Sequence, residues 1–163
     1  MRLDFTSFYR SEAARLVRTV SLVTGEPVLA EDAVAEAFAR AWSRWPEVSS
    51  HQQPAAWVMR VALNEARSRF RRRAVERRKA SMIARPEATE DPQPQVDQQL
   101  WDAVRNLSRN DRTLVALRYV ADLSQAEIAD VLGLRPGTVA GGLSRVRHKL
   151  GAALGPAYQE ELT

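Results

Sequence analysis

The sequence contains no cysteine and only two histidines, His51 and His148, which lie far apart. Disulfide bonds and thiolate metal ligands are therefore excluded. Neither histidine has a second ligating residue at the usual spacing, so we expect no metal site and no cofactor. A chain without cysteine also suits the reducing cytoplasm.

Long apolar runs are absent as well. No stretch approaches the roughly 20 apolar residues of a membrane-spanning helix, and the N-terminal MRLDFTSFYR lacks the apolar core of a signal peptide. We therefore expect a cytoplasmic protein with no membrane span. The sequence also lacks a glycine-rich phosphate loop and a Cys/His nucleophile arrangement, so an enzyme is the weakest interpretation.

Charge, by contrast, is plentiful and unevenly distributed. The 24 basic residues outnumber the 20 acidic ones, and 22 of the basic residues are arginine. Residues 1–80 carry a net charge of +6, whereas residues 81–163 carry −2. Arginine suits phosphate contacts, although a GC-rich genome gives the same composition. The excess of positive charge therefore lies in the first half of the chain. Composition alone does not show whether this charge binds phosphates.

The clearest pattern lies in residues 124–150, which read as two short helices joined by a tight turn. Ser124 and Glu127 have the spacing of a capping box at the start of the first helix. Gly133 suits the left-handed conformation that ends a helix, and Leu134 is expected to plug the turn. The pattern predicts a helix-turn-helix whose second helix enters the DNA major groove. The alternative is an ordinary helical hairpin.

The first half predicts three amphipathic helices, at 4–24, about 28–45 and 55–79, with a polar loop at 46–54 between the second and the third. The second helix carries an acidic edge near its N-terminus, formed by Glu31, Asp32 and Glu36. These acids either complement the helix dipole or bind a basic partner.

The third helix becomes strongly basic towards its end. Eight of the thirteen residues from 67 to 79 are basic, and Glu76 is the single acid. Burial cannot explain a helix that is basic nearly all round, and repulsion between neighbouring turns opposes it unless phosphates compensate. Trp57 and Asn64 lie upstream and can stack on and hydrogen-bond to bases. Nucleic-acid binding is therefore favoured over a solvated charge run.

Residues 82–95 contain three prolines and few large apolar groups, which predicts a linker. Apolar patterns in 96–107 and 114–120 predict two more helices before the helix-turn-helix. We therefore expect an all-α chain of two small helical domains with these bounds: a first domain at 1–80, a flexible linker at 81–96, a second domain at 97–155 and a tail at 156–163.

These motifs, in this order, resemble a bacterial RNA polymerase sigma factor of the extracytoplasmic-function (ECF) type in the sigma-70 family. AEDAVAEAFARAW at 30–42 is similar to the segment that binds the clamp helices of the polymerase beta-prime subunit. PAAWVMRVALNEARSRFRRR at 54–73 is similar to the segment that melts and reads the −10 element. LSRNDRTLVALRYVADLSQAEIADVLGLRPGTV at 107–139 resembles the sigma-4 domain, which reads the −35 element.

The resemblance implies a factor that binds core RNA polymerase, through its beta-prime and beta subunits, and directs it to promoter DNA. The implied polymerase-binding residues are Asp32, Glu36, Phe38 and Trp42. The implied −10 residues are Trp57, Asn64, Arg67, Arg71, Arg72 and Arg73, with the 46–54 loop capturing a flipped base. The implied −35 residues are Arg135, Thr138, Ser144, Arg145 and Arg147. An anti-sigma factor is a further candidate partner, and the holoenzyme would lie on the nucleoid.

The chain departs from the family pattern at two places. Ala35 stands where the family usually has glutamine, which removes one hydrogen bond to the clamp. Ala140, Gly141 and Gly142 replace a lysine, a serine and an arginine in the recognition helix. Two glycines in a helix cost about 1.5 to 2 kcal/mol relative to alanine, and these positions supply no side-chain donor. Either the −35 contact is made mainly through phosphates and DNA shape, or the sigma-4 domain mostly serves a protein contact. If the helix has lost cationic contacts, Ala140→Lys and Gly142→Arg should tighten −35 binding.

A stand-alone helix-turn-helix regulator is the alternative function. It would leave the polar loop, Trp57 and the arginine-rich helix without a role, and no dimerisation helix is evident. Such a regulator binds a duplex site tightly by itself, whereas a sigma factor usually requires polymerase.

Overall fold

A computed structural model of the chain describes residues 3–79 and 98–156. Over these two ranges the chain folds into two compact helical units, and no strand occurs in either. The prediction of an all-α fold with two helical domains is confirmed. The predicted linker at 81–96 lies outside the described residues, as does the tail from 157 onward.

The first unit consists of α1 (Phe5–Thr24), α2 (Pro27–Ser43), α3 (Trp45–Val48) and α4 (Pro54–Lys79). The side chain of Asp4 accepts a hydrogen bond from the backbone N–H of Ser7 and so caps the start of α1. The predicted 46–54 loop is partly helical, because its first residues belong to α3. Pro46 does not prevent this turn, since proline is tolerated in the first turn of a helix.

The core of the first unit lies where α1, α2 and α4 meet. Apolar side chains at helical spacing supply it, among them Leu16, Val20, Leu29, Val58 and Leu63. Four alanines of α2 are fully buried, and their small side chains let α1 and α4 pack closely against it: Ala30, Ala33, Ala37 and Ala41. The outer surfaces of α2 and α4 are therefore held in a fixed relation to each other.

The second unit consists of α5 (Gln98–Arg105), α6 (Arg109–Val115), a π-helical turn (Ala116–Val120), α7 (Gln125–Leu132) and α8 (Pro136–Leu154). The capping box of Ser124 and Glu127 is present, and Gly133 ends α7 with a φ of 66°. Both sequence predictions are confirmed. Leu134 does not plug the turn, because its side chain is 44% exposed; its backbone N–H instead bonds to the carbonyl of Ala129.

Gly142 lies where α8 crosses α6. A Cβ atom built at this position would stand 2.6 Å from Leu114 Cδ1, which is closer than real contacts allow. The glycine is buried and faces α6 rather than the outer side of the recognition helix. The expectation that Gly142→Arg tightens DNA binding is therefore wrong, because an arginine there would disrupt the packing of the two helices.

Candidate nucleic-acid and partner-binding surfaces

The face of α4 opposite the core carries Trp57, Arg60, Asn64, Arg67 and Arg71, which we call the α4 stripe. Their spacing of three or four residues places them on one side of the helix over about 21 Å. The tryptophan is half-buried and the other four residues are exposed. Within the ranges that the structure describes, none of the four polar side chains has a hydrogen-bond or ion-pair partner. The stripe therefore offers donors that are available to a ligand.

Four other arginines of α4 are held by carboxylates, namely Arg69, Arg72, Arg73 and Arg77. The first two bond to Glu65 at 3.0 and 3.4 Å, and the last two bond to Glu26 at 2.6 and 3.4 Å. Repulsion along the arginine-rich helix is thus partly offset inside the unit, which corrects the expectation that phosphates alone could compensate it.

The structure brings together Trp57, Asn64, Arg67 and Arg71 of the predicted −10 residues. It places Arg72 and Arg73 outside the α4 stripe, in the ion pairs with Glu65 and Glu26, so their contact with phosphates stays a prediction. Sequence reasoning missed Arg60, although its position three residues after Trp57 was a usable signal.

Asp32 and Glu36 lie one turn apart on the outer side of α2, as predicted for an acidic edge. Each already has an internal partner: Asp32 Oδ2 lies 3.9 Å from Arg69 Nη1, and Glu36 Oε1 accepts a hydrogen bond from Arg40 Nε at 2.9 Å. The bond from Glu36 holds the pKa of Arg40 above its ordinary value. A basic partner that binds these acids would compete with the two arginines for them.

Phe38 and Trp42, which were predicted to contact the polymerase, have opposite environments. Phe38 is 3% exposed and packs against the rings of Phe5, Phe8 and Tyr9. The side chain of Phe38 therefore belongs to the core of the unbound chain, and its contact with the polymerase stays a prediction. Trp42 is 64% exposed, with its ring 4.9 Å from that of Phe5, and remains available to a partner.

The recognition helix α8 packs inward through Val139, Leu143, Val146 and Leu150, as predicted. The predicted −35 residues Arg135, Thr138, Ser144 and Arg145 are exposed, and Arg147 is half-buried. The guanidinium of Arg145 lies over Gly141, with Nη1 3.6 Å from the position that a Cβ would occupy. This residue therefore covers part of the surface that the glycine leaves open.

Asp111 fastens α6 to the recognition helix. It is buried and accepts a hydrogen bond from Lys149 Nζ of α8 at 2.6 Å. This bond, with a further one from Ser108, lowers the pKa of the Asp111 carboxyl despite its burial. The pair thus stabilises the orientation of α8 while the carboxyl is ionised.

Residues 3–79 and 98–156 contain no group of three or more metal-ligating side chains that could hold an ion. Nor does any helix within them combine the length and the apolar character that crossing a membrane requires.

Comparison with known proteins gives two family matches and several relatives. The family model of Sigma-70 region 2 matches residues 8–76, and that of Sigma-70 region 4 matches residues 97–150. The RNA polymerase sigma-E factor of Streptomyces antibioticus is 28% identical over 149 residues, which span 91% of this chain and 83% of the relative. The ECF RNA polymerase sigma factor SigL of Mycobacterium tuberculosis is 32% identical over 139 residues, which span 82% of this chain and 78% of the relative.

Among solved structures, the fold is similar to that of the sigma factor RpoE from Bartonella quintana, determined in complex with the anti-sigma factor NepR. The TM-score is 0.75 with 24% sequence identity, over 93% of this chain and 96% of the other.

Proposed function

Because the chain belongs to the sigma-70 family, and within it to the ECF sigma factors, we propose that its α4 stripe handles promoter DNA while its acidic edge binds core polymerase. As a sigma factor, the protein binds core RNA polymerase and directs promoter-specific initiation of transcription. A stand-alone regulator is not favoured, because both family matches are sigma-factor regions and together cover most of the chain. The family as a whole does not consist of enzymes, and we propose no catalytic activity for this member.

The observation that carries the proposal is the α4 stripe. An unpaired DNA strand is bound by aromatic rings that stack on bases and by cations that follow the backbone. Trp57 supplies the ring, Asn64 supplies an amide that can both donate to and accept from a base edge, and Arg60, Arg67 and Arg71 supply phosphate contacts. The 46–54 segment directly precedes α4 and is proposed to capture a flipped −10 base.

The acidic edge is the proposed contact with the beta-prime clamp helices. Asp32 and Glu36 supply charge and the exposed ring of Trp42 supplies apolar area on the same helix. Aromatic residues flanked by charges are typical of protein interfaces. The beta subunit is the second proposed contact in the polymerase.

The second unit is proposed to position the complex on the −35 element. Arg135, Thr138, Ser144, Arg145 and Arg147 remain the proposed contacts. Because Gly141 and Ala140 bring no hydrogen-bonding side chain, these contacts fall mainly on phosphates and read DNA shape more than base edges.

The remaining assignments rest on the family. We propose the cytoplasm as the location, with the holoenzyme on the nucleoid. An anti-sigma factor is proposed as a partner because RpoE, which shares this fold, was solved with one. The domain bounds of 1–80, 81–96, 97–155 and 156–163 stay as predicted from the sequence.

The polymerase contact is tested by charge reversal. Asp32→Lys with Glu36→Lys should lower the affinity for core polymerase about tenfold or more, because interface charges would then repel the basic clamp. The measurement is fluorescence anisotropy of labelled protein titrated with core polymerase. Glu76→Lys, which changes an exposed acid on α4 outside both proposed surfaces, is the control and should leave the affinity unchanged. Equal affinities for all variants would contradict the assignment.

A further inference from the structure

Six charged side chains link α2 to α4 in one continuous series of ion pairs, which we call the α2–α4 network: Asp32, Glu36, Arg40, Glu65, Arg69 and Arg72. Arg69 lies 3.9 Å from Asp32 and bonds to Glu65 at 3.0 Å. Glu65 also accepts a hydrogen bond from Arg40 at 3.1 Å, and Arg40 bonds to Glu36 at 2.9 Å. Both acids of the proposed polymerase contact are therefore connected through Glu65 to the proposed DNA-binding helix.

Glu65 is the centre of this network. Its side chain is only 11% exposed, yet its carboxylate accepts hydrogen bonds from three arginines of two helices, Arg40, Arg69 and Arg72. A partly buried carboxylate interacts with its partners more strongly than an exposed one, because the local dielectric constant is lower. Asp32 and Arg72 are far more exposed, at 55% and 64%. The outer members can thus exchange partners while Glu65 stays paired.

The charges of the network balance. Three carboxylates face three guanidinium groups, so its net charge is zero while every member is paired within the chain. If cations of the polymerase neutralise Asp32 and Glu36, the three arginines share Glu65 alone. The network then carries two uncompensated positive charges beside the α4 stripe, where they attract DNA phosphates. Arg72, the most exposed arginine of the network, is the best placed to reach them.

We infer that Glu65 is a positioning residue that couples polymerase binding to DNA binding. In the unbound chain Glu65 shares Arg40 with Glu36 and Arg69 with Asp32, so the two arginines are neutralised and mask the acidic edge only in part. Polymerase binding breaks these outer pairs and makes the arginines available to the promoter strand. By linkage, DNA that takes up the arginines also favours polymerase binding. The inference rests on the proposed polymerase contact of Asp32 and Glu36.

Removing an outer arginine gives the sharpest test. Arg69→Gln unmasks Asp32, so the variant should bind core polymerase more tightly by about two- to fivefold, the size expected for a partly exposed ion pair. A merely structural role predicts the opposite sign or no change. Arg77→Gln is the matched control: it removes the same charge from the same helix, but its partner Glu26 lies outside the network. Affinities are measured by anisotropy in the absence of DNA.

Removing the central acid should shift the two affinities in opposite directions. In Glu65→Gln, Arg40 and Arg69 pair more fully with Glu36 and Asp32, so core polymerase binds about two- to fivefold more weakly. The same change leaves an extra positive charge beside the α4 stripe, so the unbound protein should bind a short labelled single-stranded DNA of mixed sequence more tightly. Glu76→Gln makes the same charge change on α4 without an ion-pair partner in the described residues and is the matched control.

The possible failures are distinguishable. If Asp32→Asn and Glu36→Gln leave polymerase affinity unchanged, the proposed contact is wrong and the coupling falls with it. If both weaken binding while Arg69→Gln matches Arg77→Gln and Glu65→Gln matches Glu76→Gln, the coupling alone is overturned. Circular dichroism verifies that each variant is folded, and Arg69→Gln decides the question if Glu65→Gln does not fold.

Discussion

Trp57 and Asn64 lie two helical turns apart on the outer face of α4, and each offers what an unpaired DNA strand can bind. The half-buried ring of Trp57 is held by the helix yet keeps a surface on which a base can stack. The exposed amide of Asn64 has no internal partner among the described residues, so its donors and acceptor are available to a base edge. These two side chains therefore carry the proposed reading of the −10 strand.

Trp57→Ala and Asn64→Ala should impair promoter opening more than polymerase binding. Loss of one base–aromatic stack costs about 1 to 3 kcal/mol, so Trp57→Ala should lower the open fraction by roughly fivefold or more. Permanganate reactivity of unpaired thymines reports the opening, and anisotropy reports polymerase affinity. Glu76→Ala, on the same helix but off the stripe, should behave like the wild type. Normal reactivity in both test variants would rule out this role for the stripe.

At the scale of single residues, the sequence predicted surface positions better than partners. The exposure of Asp32 on the outer edge of α2 followed from helical spacing. The burial of Phe38 also fits the apolar spacing of α2, but its aromatic partners come from α1 and do not follow from that spacing. The pairing of Glu26 with Arg73, which are 47 residues apart, likewise exists only once α2 and α4 pack together.

The two neighbouring glycines of α8 have different structural roles. Gly142 lies against Leu114, whereas a Cβ at Gly141 would make only an ordinary contact with Arg145 at 3.6 Å. The sequence alone indicates only that both positions lack a side chain that could contact DNA. Helix α8 therefore has room for a side chain at Gly141, whereas a side chain at Gly142 would press on Leu114.

Gly141→Ala should raise the free energy of unfolding by about 0.5 to 1 kcal/mol, because alanine is the better helix former. Gly142→Ala should gain less than this or lower the free energy of unfolding, because the Cδ1 atom of Leu114 must shift in a core where overpacking costs about 1 to 3 kcal/mol. Urea unfolding followed by circular dichroism compares the two variants. Stabilisation of similar size in both would contradict the close approach of α6 and α8.

The pair of Asp111 and Lys149 makes the second unit sensitive to acid. Because the hydrogen bond from Lys149 lowers the pKa of folded Asp111, the ionised carboxyl stabilises the fold above the usual aspartate pKa of about 4. This stabilisation is lost as the pH falls through the lower pKa of the folded state. Asp111→Asn should therefore unfold about 1 kcal/mol more easily at neutral pH, with the difference vanishing on acidification. Thermal unfolding of both proteins between pH 3 and 7 measures it, and a pH-independent difference would contradict the ion pair.

The helix boundaries divide into those set by local chemistry and those set by packing. Caps such as Ser124 with Glu127 act within four residues, so the start of α7 was predictable. The polar residues after Pro46 predict a loop and hide helix α3, although proline is acceptable at the start of a helix. The π-helical turn at Ala116–Val120 leaves no sign in the apolar spacing, which fits a continuous helix equally well.

For the whole molecule, the order of motifs predicted the architecture because each helix carries its own apolar face. The two-unit organisation follows from the proline-rich segment between two sets of such helices, and the densest run of positive charge lies in the first set, at the end of α4. The sequence could not show that much of this charge is neutralised within the first unit. Within the first unit, the networks around Glu65 and Glu26 leave the α4 stripe as a cationic surface available to DNA before polymerase binds.

The unbound protein should therefore bind duplex promoter DNA weakly. Residues 98–156 carry only a small net positive charge, from eight basic and five acidic residues, and the first turns of the recognition helix have few donors. Phosphate contacts dominate the affinity for duplex DNA, so the second unit alone should hold it weakly. An electrophoretic mobility assay with and without core polymerase compares the two states. Tight, sequence-specific binding of duplex DNA without polymerase would favour a stand-alone regulator instead.

The most direct test of the central claim is transcription of genomic DNA by core RNA polymerase with and without this protein, followed by mapping of the RNA 5′ ends. The account predicts new start sites that share upstream sequence at the −10 and −35 positions and that disappear with Trp57→Ala. Start sites identical to those of core polymerase alone would contradict it.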